Sequence, residues 1–103
     1  VIQGGGSGTG VDRGYTIQDE KVTAKYGRGV VAMARTSQPN SVDSQFFIVL
    51  SDAAIDALAA YDTYQIIGNV TSGMETADAI ASAADAENPS NPVIMTSVSV
   101  ANP

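Results

Sequence analysis

The chain has 103 residues, and none of them is cysteine, histidine or tryptophan. Without cysteine there are no disulfides, no thiolate nucleophile and no cysteine-ligated zinc, and cysteine usage leaves the compartment open. Without histidine the commonest general base and metal ligand is missing. Positive charge is scarce: five Lys and Arg stand against 11 Asp and Glu, a net charge of −6. With no basic patch, nucleic acid and anionic membrane are poor partners. No apolar run is long enough to span a bilayer, so membrane insertion is not expected of this segment. The scattered carboxylates show no metal-loop spacing.

What remains is an apolar, glycine-bearing chain. Apolar residues make up 44% of it, enough for a packed domain rather than disorder. The length allows one small domain, residues 1–103, with little margin in its core. Val1-Ile2-Gln3 reads as the inside of a strand, so the chain is expected to begin within an element. Gly4 to Gly10 is glycine-rich and lacks both the dinucleotide and the P-loop spacing. Tyr15-Thr16-Ile17 is a short extended piece.

Gly29 to Ala34 (GVVAMA) reads as a strand, and Arg35 to Asp43 as a turn-rich loop around Pro39-Asn40. Ser44 to Leu50 (SQFFIVL) is the most informative strand. Phe46, Ile48 and Leu50 share one face, expected to be the dry one. Gln45, Phe47 and Val49 share the other, which sets an amide beside an aromatic ring. A buried amide without partners costs about 1–3 kcal/mol. Either backbone groups satisfy Gln45, or it lines a concave site for a polar ligand.

Ser51 caps a short helix over Asp52–Ala60. Tyr64 to Val70 is a strand in which Gly68 marks a bulge or a close approach. Ser72 and Glu75 have capping-box spacing before a helix that runs to about Ala86, with Met74, Ala77, Ile80, Ala81 and Ala84 as its apolar stripe. Val93 to Val100 alternates as a last strand, with Ile94, Thr96, Val98 and Val100 on one face. Strands and helices do not alternate regularly, which favours a β-barrel or α+β domain over a doubly wound sheet.

Five segments in this order resemble the cyclophilin-type peptidyl-prolyl cis-trans isomerases: VIQGG, GTG at Gly8-Thr9-Gly10, VAMARTSQPNSVDSQFFIVL, YQIIGNVTSGM and the closing strand. The middle block is the most specific, and "MARTS" with its loop length is of the bacterial type. The resemblance implies a mainly β fold, an antiparallel eight-stranded barrel with helices. It places this chain in the C-terminal part of that domain, N-terminally incomplete. It implies rotation about Xaa-Pro peptide bonds, with no cofactor and no metal. The implied partners are proline-containing polypeptides and cyclosporin-type ligands, and the compartment stays open between bacterial cytoplasm and cell envelope.

Residue by residue, the resemblance makes Phe47 the floor of the proline pocket and Val1 a wall. Leu58 lies on the opposite rim, and Tyr64 on the rim where many members have His. Gln3 and Gln45 match paired amides that contact substrate backbone and hold the family's arginine; Gln45 and Phe47 are the expected catalytic pair. Ala34 and Arg35 match strand-end residues whose backbone binds extended peptide, and Gly8 flanks a secondary pocket. The chain departs from the pattern at Gly6, where many members are acidic. None of its arginines, Arg13, Arg28 and Arg35, sits where the family's catalytic arginine would, a few residues before VIQGG. The isolated chain is therefore expected to be weak or inactive, and a module that binds proline-containing peptides without turnover is the alternative.

Overall fold

A computed structural model describes residues 1–5, 18, 25–36, 38, 40–42, 44–59, 64–83 and 93–101. In chain order the elements are β1 (Ile2–Gly4), β2 (Val30–Met33), β3 (Phe46–Ile48), α1 (Ala54–Ala59), β4 (Ile66–Asn69) and α2 (Met74–Ala83). The strands form one antiparallel sheet in the order β1-β3-β2-β4. β3 is thus interior, flanked by β1 and β2. The sheet edges, β1 and β4, do not pair, so the described sheet is open where the resemblance implied a closed barrel.

β2, β3 and β4 are each shorter than their expected runs and lie inside them, whereas β1 runs one residue past Val1–Gln3, into Gly4. The β2–β4 register shifts between Val31, opposite Gly68, and Ala32, opposite Ile66. Ile67 is left as the extra residue, more than half exposed. This is the bulge that Gly68 signalled; a side chain at Gly68 would meet nothing, so close approach is not its role. The chain leaves β1 through Gly5, at φ 84°, where a Cβ would collide with the Ser44 carbonyl. Ser44 then closes this corner by donating from its hydroxyl to the Gly5 carbonyl at 2.7 Å.

Both helices stand where the sequence placed them, with one difference at a cap. The Ser51 hydroxyl accepts the Ala53 N–H at 3.2 Å ahead of α1. At α2 the first turn closes on the Gly73 carbonyl, which accepts from Thr76 at 3.0 Å. Gly73 adopts φ 87°, and Ser72 makes no capping bond, so the capping-box expectation gives way to a glycine-led start. Met74, Ala77, Ile80 and Ala81 form the covered stripe of α2, with Ala77 buried. Neither helix is long and apolar enough to cross a membrane. Tyr15–Ile17, Gly6–Gly10, Arg13 and residues 84–86 lie outside the described residues.

Two expectations are corrected. On β3 the more deeply buried face is the odd one: Phe47 and Val49 are buried, whereas Phe46, Ile48 and Leu50 are only half-buried. The reason is that the core gathers on that face, where Tyr26, Val30, Ala32, Phe47 and Val49 form one cluster. The second concerns Val93–Val100, which forms no strand and is exposed along its length. Its alternation is sound, but no described strand pairs with it, and a ladder needs a partner for its backbone groups.

Candidate functional site

The site is built on β3 and its two neighbours. Register sets Gln3 on β1 and Ala32 on β2 directly opposite Phe47. Residues directly opposite in a ladder share a face, so an amide, an aromatic ring and a methyl group form one row across the sheet. Gln3 Nε2 donates to Gln45 Oε1 at 2.8 Å, one turn of the pleat from Phe47. Of the two readings of Gln45, the structure therefore supplies a side-chain partner, and that partner is the other residue of the expected amide pair. The Gln45 main chain is also anchored, because its carbonyl accepts the Ala34 N–H at 2.9 Å.

Phe47 is only 4% exposed. Ala34, Leu58, Tyr64 and Ile66 pack against its cluster as half-buried residues. Tyr64 meets Phe47 edge to face, with centroids 5.3 Å apart and rings at 90°. Such aromatic pairs add about 0.5–1.5 kcal/mol beyond the area they bury. Four of the expected residues, Phe47, Leu58, Tyr64 and Ala34, are thus brought together, with Gln3 and Gln45 beside them.

The rest fall outside this group. Val1 is 62% exposed and does not join the cluster. Arg35 turns toward its own loop, where Nε donates to the Thr36 carbonyl at 3.1 Å and a terminal nitrogen to Gln38 at 2.8 Å. Asn40, at φ 55°, turns the same loop, and Ser41 ties it to Thr36 and Gln38. Gly8 lies outside the described residues.

Arg28 is the other strongly engaged arginine. Its guanidinium grips Asp78 through both carboxylate oxygens, at 2.7 and 2.8 Å, and donates to the Leu50 carbonyl at 2.6 Å. Its backbone N–H donates to Asp52 at 2.8 Å. The hydrogen bond from Arg28 holds the Asp78 carboxyl below the usual aspartate range, and the same bond raises Arg28 further. This bidentate clamp joins the turn before β2 to the end of β3 and to α2; it is scaffold, and it sits in solvent.

Sequence reasoning passed over Tyr26. It is 1% exposed, the largest fully buried side chain together with Val49. Its hydroxyl donates to the Tyr64 carbonyl at 2.8 Å and accepts the Tyr64 N–H at 3.0 Å. Its ring stands edge-on to Tyr64 at 6.3 Å. The available signal was an aromatic residue directly before the Gly27-Arg28-Gly29 turn, a place where a buried ring must be anchored by something distant in sequence.

Residues 1–100 match the family model described as cyclophilin type peptidyl-prolyl cis-trans isomerase/CLD. A peptidyl-prolyl cis-trans isomerase of Acinetobacter baylyi is 41% identical over 86 residues, 79% of this chain and 46% of its own length. Peptidyl-prolyl cis-trans isomerase A of Dickeya dadantii is 36% identical over 112 residues, 97% of this chain and 58% of its own length. A probable peptidyl-prolyl cis-trans isomerase of Brucella abortus is 37% identical over 81 residues, 79% of this chain and 39% of its own length. The chain thus spans between 39% and 58% of these relatives. With a family model covering nearly all of its residues, the chain belongs to the cyclophilin-type peptidyl-prolyl cis-trans isomerase family.

Proposed function

We propose that the protein carrying this chain catalyses cis/trans rotation of Xaa-Pro peptide bonds in extended or unfolded polypeptides. The observation that carries this is the gathering of Phe47, Leu58 and Tyr64 beside the Gln3–Gln45 amide pair. Rotation about a peptide bond is opposed by amide resonance, a barrier of about 18–20 kcal/mol. No covalent intermediate is needed and no proton leaves carbon. A site lowers the barrier by gripping the proline ring while the preceding carbonyl swings, and by donating a hydrogen bond to the proline nitrogen as it loses conjugation.

In this chain the Phe47 ring forms the floor and Leu58 and Tyr64 form the rim. Gln45, steadied by Gln3, faces the substrate backbone. Because the Ala34 N–H already serves the Gln45 carbonyl, extended peptide meets Ala34 through its carbonyl. Val1 and Gly8 extend the site at its margins, and Arg35 marks the end of the peptide-binding strand. Closure of the sheet into a barrel, and affinity for cyclosporin-type ligands, belong to the same reading. A non-catalytic peptide-binding module is the second reading. It is favoured by one observation: both described arginines are engaged, Arg28 by Asp78 and Leu50, and Arg35 by its own loop.

A proline-peptide isomerisation assay on the complete protein decides between them. Accelerated isomerisation by the complete protein, lost in a Phe47 variant that still folds, supports the enzyme. Tight binding of an Ala-Pro peptide with no acceleration of its isomerisation supports the binding module.

A further inference from the structure

We infer that Tyr26 is a positioning residue for the peptide site, acting through Tyr64. The inference rests on the reading of Phe47 and Tyr64 as pocket residues. Tyr26 lies in the buried cluster that includes Phe47, and it meets Tyr64 in three ways. Its hydroxyl closes both main-chain groups of that residue, donating at 2.8 Å to the carbonyl and accepting at 3.0 Å from the N–H. Its ring stacks edge-on at 6.3 Å and 77°.

A single hydroxyl that satisfies the donor and the acceptor of one residue fixes that residue's backbone in place and in rotation. The segment it fixes needs such an anchor. Tyr64 comes just before β4, so its own N–H and carbonyl stand outside the ladder. Regular pairing starts only with Ile66 opposite Ala32, after the Gln65 carbonyl has accepted the Met33 N–H at 2.8 Å. Holding the Tyr64 backbone holds the ring that stands at right angles to Phe47 at 5.3 Å. The chain of contact therefore runs from a fully buried phenol, through a backbone, to the rim and floor of the site. Tyr26 itself, at 1% exposure, is closed to substrate.

The test uses the complete protein and an Ala-Pro peptide. Tyr26→Phe keeps the ring and removes the hydroxyl; Tyr26→Leu removes both. Arg28→Ala destabilises the scaffold elsewhere and serves as the comparator. In Tyr26→Phe the aromatic NMR signals of Tyr64 and Phe47 are expected to move. KM should rise roughly three- to tenfold, the range set by one modest hydrogen bond. A kcat within about twofold of the parent would mark lost placement rather than lost chemistry. Tyr26→Leu should show a larger rise, and Arg28→Ala a lower Tm with neither effect. Unmoved ring signals, or a KM change no greater than that of Arg28→Ala, would overturn the inference. Leu58→Ala separates the two layers of the argument. If it leaves KM unchanged, the pocket reading fails and takes the functional role of Tyr26 with it. If it raises KM while Tyr26→Phe does not, the pocket stands and only the role of Tyr26 falls.

Discussion

Ser44–Leu50 and Val93–Val100 both read as strands and are opposite in structure. Both carry a strand pattern, five consecutive apolar residues from Phe46 to Leu50 in the first and an alternating face of Ile94, Val98 and Val100 in the second. The first contains one of the two interior strands of the sheet, and its Val49 is 0% exposed. The second is coil, and its Val98 is 78% exposed and Val100 97%. Alternation states which residues can share a face; it does not supply the neighbouring strand. Phe46–Ile48 has β1 on one side and β2 on the other, and every residue of it is paired on both. A run with no ladder gains neither backbone bonds nor a covered face.

This comparison can be sharpened by substitution, and the largest effect belongs to the centre of the paired strand. Phe47→Ala should cost about 3–5 kcal/mol of unfolding free energy in denaturant titration, because it removes a ring that is only 4% exposed. A cost near 1 kcal/mol would mean that the ring is far less enclosed than its burial indicates.

Next in size is a matched pair. Val49→Ala should cost roughly 1.5–3 kcal/mol, two buried methyl groups at about 0.8 kcal/mol each plus the cavity they leave. Val98→Ala should stay within about 0.5 kcal/mol of zero, as exposed positions do. Equal losses at the two valines would erase the distinction and show that Val93–Val100 is packed in solution.

Smaller again is the amide pair. In a double-mutant cycle, Gln3→Ala and Gln45→Ala should couple by about 0.5–1.5 kcal/mol, with the exposed geometry favouring the low end. Additive losses would show that the 2.8 Å hydrogen bond contributes nothing to holding Gln45.

The smallest effect lies in the solvent-facing clamp. Asp78 is held below its unfolded value by Arg28, so its contribution is present above the usual aspartate range. It is lost as pH falls through the lowered folded value. Asp78→Asn should flatten that part of the stability–pH curve, with a modest change in Tm at neutral pH that shrinks further in high salt. An unchanged acid limb in Asp78→Asn would show the ion pair to be inert.

Legibility in the sequence followed the range of the interactions concerned. The strands at Val30–Met33, Phe46–Ile48 and Ile66–Asn69 lie within runs whose pattern is readable, and Ile2–Gly4 overlaps one at Ile2 and Gln3. The Gly68 bulge and the Ser51 cap were readable because glycine and serine act locally. What escaped depended on distant partners. The buried face of β3 is chosen by Tyr26, Val30 and Ala32, and alternation alone does not say which face they cover. Val93–Val100 has a strand pattern, but no strand among the described residues pairs with it. Tyr26 acts across 38 residues on Tyr64, and no local pattern announces that. The site itself was legible mainly through resemblance. Gln45 by its own chemistry left two readings open, and the 2.8 Å bond from Gln3 across 42 residues supplied the partner.

The function of the chain depends on whether Phe47, Leu58 and Tyr64 receive a proline. The most direct measurement is an NMR titration of the complete protein, labelled on its side chains, with an Ala-Pro peptide. The expected result is that the ring signals of Phe47 and Tyr64, the methyls of Leu58 and the amide group of Gln45 move together with one affinity, and that the peptide's cis and trans signals exchange faster in its presence. Movement confined to Val93–Val100, with Phe47 and Tyr64 still, would contradict it.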